Sequence, residues 1–296
     1  MIARFLLALV VLFAAAAVAI PGASAQSAAF RSDRIVVEVR GRGADVILIP
    51  GLASTAEVWR RTADRLDDRY RVHLVSIRGF GDLPVGANHS GAVTGPVANE
   101  VRRYMASQGL SRPALIGHSM GGQVALRIAA DARDGVGRVM VVDASPFFPA
   151  LVNQGATVGD IEPIAQIAYQ ALMIFGDQAL ADRGRSLGLD LGGASDALFG
   201  GMGWQGGDRR VLARGIYEVM TLDLRHRLPD ITAPVTVVYG WSRDERSPRR
   251  DIDRRLRAAY ATLPRPARFE PIEGAEHMVM IDQPVRFMAA VERFLA

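Results

Sequence analysis

The chain has no cysteine and no lysine among its 296 residues. The first absence excludes disulfides, thiolate metal sites, cysteine nucleophiles and a lipidated cysteine anchor. The second makes every one of the basic residues an arginine. The 35 basic residues exceed the 31 acidic ones by only four, an excess too small and too evenly spread to mark a nucleic-acid binder. The seven arginines between residues 243 and 257 interleave with Asp251 and Asp253. They flank an apolar face of Ile252, Leu256, Ala259 and Tyr260, which reads as a solvated amphipathic helix. Also lacking are an HExxH pair, a glycine-rich phosphate loop ending in GKS or GKT, and a dinucleotide fingerprint, so neither metal nor cofactor is expected. After residue 20 no apolar run approaches the roughly 20 residues of a membrane span. What is present is 49% hydrophobic and 22% charged. That is the composition of a folded protein long enough to bury a core without cross-links.

Residues 1–25 read as a secretory signal. Arg4 is followed by an apolar stretch from Phe5 to Ile20, a Pro21-Gly22 break, and Ala23-Ser24-Ala25 ahead of Gln26, which places small residues at both cleavage-determining positions. The expectation is an exported protein, periplasmic or secreted, with no stable membrane insertion after cleavage. An uncleaved anchor is the alternative.

Beyond that leader the pattern alternates. Arg34–Arg40 reads as an edge strand. Asp45–Ile49, Arg71–Ile77, Pro113–Ile116 and Arg138–Val142 are short, nearly continuous apolar runs, as strands buried on both faces require. Helical spacing separates them at 55–69, 96–108 and 119–130. Residues 146–230 break the rhythm with two helical stretches, near 163–175 and 208–222, around a glycine-dense segment, Gly184–Gly207. Strand and helix resume with 234–239, 248–261, 268–272 and 284–295. This is an α/β chain with a mainly parallel sheet, helices on both faces and an inserted helical cap. The core comprises 26–145 and 231–296, and the cap 146–230. Ligands in such sheets bind beyond the carboxyl ends of the strands.

Following the run Pro113–Ile116 is Gly117-His118-Ser119-Met120-Gly121-Gly122, a G-x-S-x-G turn between strand and helix. Glycines there let a strained turn approach neighbouring backbone while lifting the serine hydroxyl clear of the sheet. A serine needs a base. Of the five histidines, His277 alone lies both after a strand and near the C-terminus, so it is the expected base. His118 is expected to leave the elbow in another direction, and His73 reads as a structural histidine within a strand. The acid orienting the base should lie between Ser119 and His277 in chain order. Asp244 is favoured because it follows the strand preceding the histidine strand. Asp143, which follows Arg138–Val142, is the alternative, and Glu245 a third choice. Backbone N–H groups of Leu52 and Met120 are the candidate oxyanion donors.

With its segments IPGLAST, IRGFGD, GHSMGG, VVDASP, VYGWSRDE and GAEHMVMIDQP in this order, the chain resembles the α/β-hydrolase superfamily over nearly all of residues 34–296. The resemblance implies Ser119 as nucleophile, His277 as base and Asp244 as acid. It implies hydrolysis of a small-molecule substrate through an acyl-enzyme, with small to medium apolar carboxylic esters first. Amides, lactones or carbon–carbon bonds on the same triad are the alternative, and a non-catalytic ligand binder is a third reading. The chain departs from the family pattern at Pro50, where His is usual, and at Ser76, where Asp is common. It also has three residues instead of two between Gly240 and Asp244, a departure that keeps Asp143 open as the acid.

Overall fold

A computed structural model describes residues 30–186, 205–242 and 248–296, without side chains for 177–186. The expected signal segment, the glycine-dense 187–204 and the loop 243–247 containing Asp244 lie outside the described residues. Seven strands form one sheet: β1 (Ile35–Gly41), β2 (Ala44–Ile49), β3 (Tyr70–Ile77), β4 (Ala114–His118), β5 (Arg138–Val142), β6 (Val235–Trp241) and β7 (Arg268–Glu273). Their order across the sheet is β1-β3-β2-β4-β5-β6-β7. Only β1 is antiparallel, pairing with β3 in the register Ile35↔Ile77. It is the edge strand, and Val36 and Val39 on it are exposed. The other strands are parallel.

The period-2 alternation of side chains divides each central strand between two cores. Ile47, Ile49, Leu115, Val139, Val141 and Val237 face one side. There they meet α2 (Thr94–Ser107) and α3 (Met120–Ala132). Val46, Leu48, Ile116, Met140, Val142 and Val238 face the other, against α1 (Arg60–Leu66) and the C-terminal helix at Pro284–Leu295. Because both faces are covered, these strands carry no polar alternation, which is why they read as continuous apolar runs. The chain moves from β2 to β3 on one side and then to β4 on the other. The carboxyl ends of β2 and β4 therefore flank a switch point, the usual place for a ligand crevice.

Between β5 and β6 the chain forms α4 (Val158–Ser186), broken at Gly176 (φ 74°), and α5 (Arg209–Thr221). The α5 helix lies on the loops that follow β2 and β3. A Cβ at Gly215 would stand 2.4 Å from Leu52 Cδ1. Gln205 Oε1 accepts from Thr55 N–H and Thr55 O–H at 2.8 and 2.7 Å. The Glu218 carboxylate accepts the N–H groups of Val93 and Thr94 at 2.8 and 2.7 Å. Those N–H groups sit at the positive end of α2, a favourable place for an anion. Of the aromatic residues flanking or inside this insertion, Phe147 is fully buried, while Trp204 lies outside the described residues. After β6, α6 (Arg249–Ala259) buries Leu256 and Ala259. Two of its arginines, Arg254 and Arg257, pair with Asp251 and Asp253 at 2.9 Å.

Two histidines are buried. His73 on β3 places Nδ1 2.6 Å from Tyr104 Oη and Nε2 2.9 Å from Asp45 Oδ1. His118 ends β4 and is fully enclosed. Burial pushes the pKa of both below the ordinary histidine value, and that of His118 well below it. As pH falls past about 6.5, the unfolded chain therefore takes up protons that the folded chain refuses. Stability is full above that pH and is lost below it. The slope approaches about 1.4 kcal/mol per pH unit for His118, whose pKa lies well below the ordinary value, with His73 adding in the same direction. Urea titrations at pH 7.5, 6.0 and 5.0 should show the midpoint falling on acidification. A flat midpoint across this window would contradict neutral burial of both rings.

Candidate active site

Ser119 joins β4 to α3 with φ 52° and ψ −121°, a left-handed conformation that a serine adopts only under constraint. The constraint is steric. A Cβ at Gly117 would lie 2.2 Å from the Gly121 carbonyl oxygen, and one at Gly121 would lie 2.4 Å from the oxygens of both Ile49 and Pro50. The elbow is thus packed backbone to backbone against the end of β2, and only glycine fits at either flank. Ser119 N–H donates to the Val142 carbonyl at 2.9 Å, anchoring the turn to β5. The same close packing brings the Gly51-Leu52 backbone to the serine. A Cβ on Gly51 would be 3.2 Å from Ser119 Cβ. Met120 opens α3, where N–H groups have no acceptor within the helix. Of the two residues named from sequence as oxyanion donors, Met120 follows Ser119 at the helix start and Leu52 follows Gly51 in the β2 loop.

His277 lies in the loop between β7 and a short helix, α7 (Val279–Asp282). Its Nδ1 is 2.6 Å from Asp143 Oδ2. Asp143 directly follows β5, as Ser119 directly follows β4, and it too has a positive φ, 46°. Its N–H donates to the Val238 carbonyl at 2.7 Å, which fixes the residue at the sheet's edge of the crevice. A carboxylate accepting Nδ1–H sets the tautomer that leaves Nε2 with a lone pair. His277 Nε2 is buried and has no hydrogen-bond partner. So the histidine expected as base is joined to Asp143, the alternative acid, while Asp244, the favoured one, lies in the loop outside the described residues.

Sequence reasoning missed a role for His118. Its Nε2 is 2.9 Å from the His277 carbonyl oxygen, so that ring nitrogen carries the hydrogen and donates. The two rings lie 4.6 Å apart between centroids. Burial, and next the proximity of His277, hold the pKa of His118 well below the ordinary range. The one signal available beforehand was general: a polar side chain at the end of a strand buried on both faces must find a partner. The remaining histidines are elsewhere, with His89 bonded to the Gly86 carbonyl and His226 in the turn before β6. Among the described residues no three His, Cys, Asp or Glu side chains are grouped to hold a metal ion.

A family model described as the alpha/beta hydrolase family matches residues 46–291. The chain belongs to that family and is a hydrolase. Among curated proteins it is similar to the pimeloyl-(acyl-carrier protein) methyl ester esterase of Vibrio atlanticus. The two are 27% identical over 219 residues, covering 71% of this chain and 80% of the relative. Among solved structures it resembles a thermophilic esterase from Thermogutta terrifontis. That match has a TM-score of 0.68 at 20% identity, covering 88% of this chain and 92% of the other. It also resembles the enol-lactonase from Burkholderia xenovorans LB400, with a TM-score of 0.59 at 20% identity, covering 88% and 96%. At these identities the structural likenesses establish the shared fold.

Proposed function

We propose that this protein is an exported serine hydrolase of carboxylic esters, acting through Ser119, His277 and Asp143. The observation that carries the reading is the 2.6 Å contact from Asp143 to His277 Nδ1, on an imidazole whose Nε2 is buried without a partner. In this mechanism Ser119 Oγ attacks the substrate carbonyl carbon while its proton passes to His277 Nε2. The carbonyl oxygen, now an anion, takes hydrogen bonds from the N–H groups of Leu52 and Met120. The C–O bond to the leaving alcohol breaks, and the proton on His277 leaves with that alcohol. Water then attacks the acyl-enzyme, again giving its proton to His277, and the acid departs as Ser119 recovers its own.

The substrate class rests on two supports. The Vibrio relative is named for a methyl ester, and Met120 beside Ser119 shares a buried apolar cluster with Leu52 and Phe80. The named relative and the apolar cluster beside Ser119 favour an ester of small to medium apolar character. The insertion at 146–230 serves as a cap, since α5 lies on Leu52 and on the loops that flank the crevice. Export rests on the pattern at residues 1–25, and N-terminal sequencing of secreted material should begin at Gln26.

The decisive experiment uses a fluorophosphonate probe with a panel of esters of graded acyl length, lactones and peptide arylamides. The folded protein should be labelled and should turn over short-chain esters fastest. Ser119→Ala should lose the label and about 10⁶ in kcat. Folded wild-type protein that takes no label would point instead to a ligand-binding member of the fold.

A further inference from the structure

The loop that carries His277 is held in an unusual way. Its backbone groups are satisfied one after another by side chains. Arg286 Nη1 donates to the Glu273 carbonyl at 2.8 Å, and Gln283 Nε2 to the Gly274 carbonyl at 2.9 Å. Asp282 Oδ2 accepts from Glu276 N–H at 2.9 Å, and His118 Nε2–H donates to the His277 carbonyl at 2.9 Å. Three of these side chains come from the segment immediately following the loop, so they fold the loop onto its own continuation. His118 comes from the end of β4, the middle strand of the sheet, 159 residues earlier, and is peptide-bonded to Ser119.

We infer that His118 and Asp282 are positioning residues that clamp the His277 loop from its two sides, and that His118 acts as a strut fixing base to nucleophile. The inference deepens the proposed function and rests on His277 being the base. The His118 side chain leaves the backbone one residue before Ser119 and ends on the backbone of His277. The path from nucleophile to base thus runs through one rigid ring and one hydrogen bond. The ring is fully buried. Its other nitrogen, Nδ1, has no partner and faces Gly51, where a Cβ would stand 2.8 Å away. The imidazole therefore sits between the oxyanion loop and the base loop, in contact with both. Asp282 supplies the opposing tie by holding the N–H one residue before the base. Neither side chain touches the reacting atoms in this account. Each acts through where it puts His277 Nε2, and a displacement of about 1 Å in such a group costs on the order of 10² in rate.

The test compares His118→Phe, which keeps a ring but no donor, with His118→Gln, whose amide Nε2 is far enough out to place an N–H near the same carbonyl. Asp282→Ala and Asp282→Asn form a second pair on an exposed side chain, so an answer is secured even where His118→Phe does not fold. Kinetics on a short-chain ester and the imidazole proton resonance downfield in the NMR spectrum are the readouts. His118→Phe and Asp282→Ala should lose on the order of 10–10² in kcat with KM unchanged. Both should also broaden or lose the resonance of the Nδ1–H shared with Asp143. His118→Gln and Asp282→Asn should recover most of both. Unaltered kcat and resonance in folded His118→Phe, or in Asp282→Ala where the former is insoluble, would overturn the clamp. Failure of the wild type to take a fluorophosphonate would instead remove the reading beneath it, so the two failures are distinct.

Discussion

Replacing Asp143 by Asn should lower kcat about 10⁴-fold with the fold intact, whereas Asp244→Asn should leave turnover within a few-fold of wild type. The geometry behind the first half is the 2.6 Å contact between Asp143 Oδ2 and His277 Nδ1. A carboxylate can only accept there, so it selects the tautomer with hydrogen on Nδ1 and a lone pair on Nε2. It also stabilises the imidazolium that forms once Ser119 has given up its proton. An asparagine at 143 keeps the volume but can turn its amide N–H toward Nδ1. That would reverse the tautomer and put the hydrogen on the nitrogen meant to act as base. Both half-exposed partners remain reachable by water, so the change should cost little stability while removing most of the rate. Steady-state kinetics and fluorophosphonate labelling rates on both variants decide the matter. Full activity in Asp143→Asn, with loss in Asp244→Asn, would return the acid to the loop after β6.

The two aspartates show what the sequence could and could not carry. Each follows an apolar strand by a short distance, and each lies between Ser119 and His277 in chain order. Local pattern cannot tell them apart, because the choice depends on which strand end the His277 loop folds over. That is a tertiary contact spanning 134 residues for Asp143. The elbow was legible for the opposite reason. Its glycines answer a local steric demand, and the strand before it and helix after it each have their own hydrophobic period. The parallel strands were legible because burial on two faces leaves no polar position inside them. The insertion was read less well. Its first helix, expected near 163–175, runs Val158–Ser186 with a break at Gly176, and over 158–176 only Ala165 and Leu172 are buried, too few to mark its ends in the sequence. Several of its apolar residues, Ile164, Ile167 and Ile174 among them, are exposed. The bond from His118 to the His277 loop was invisible for the reason that left Asp143 and Asp244 both open, being a contact between distant segments rather than along the chain.

Gly121→Ala should be severely damaging for a single added methyl group, lowering stability by about 3–5 kcal/mol. The added carbon would stand 2.4 Å from two carbonyl oxygens, those of Ile49 and Pro50. Both belong to backbone at the end of a buried central strand, so no side chain can swing aside. Relief requires the start of α3 to move away from β2, and that is the junction between Ser119 and the Gly51-Leu52 loop. Against a total stability of roughly 5–15 kcal/mol the loss is severe. The protein that remains folded should label slowly with fluorophosphonate, because Ser119 and the Gly51-Leu52 backbone have been pushed apart. Gly91→Ala supplies the control. Gly91 has a positive φ, 74°, which Gly121 within α3 does not, and a Cβ at Gly91 meets nothing within 4 Å, so its cost is conformational and about 1–2 kcal/mol. The comparison separates a demand of the chain's own dihedrals from a demand of packing. Equal urea midpoints for the two variants would mean that the elbow yields, and that close backbone contact is not what holds Ser119 in its strained position.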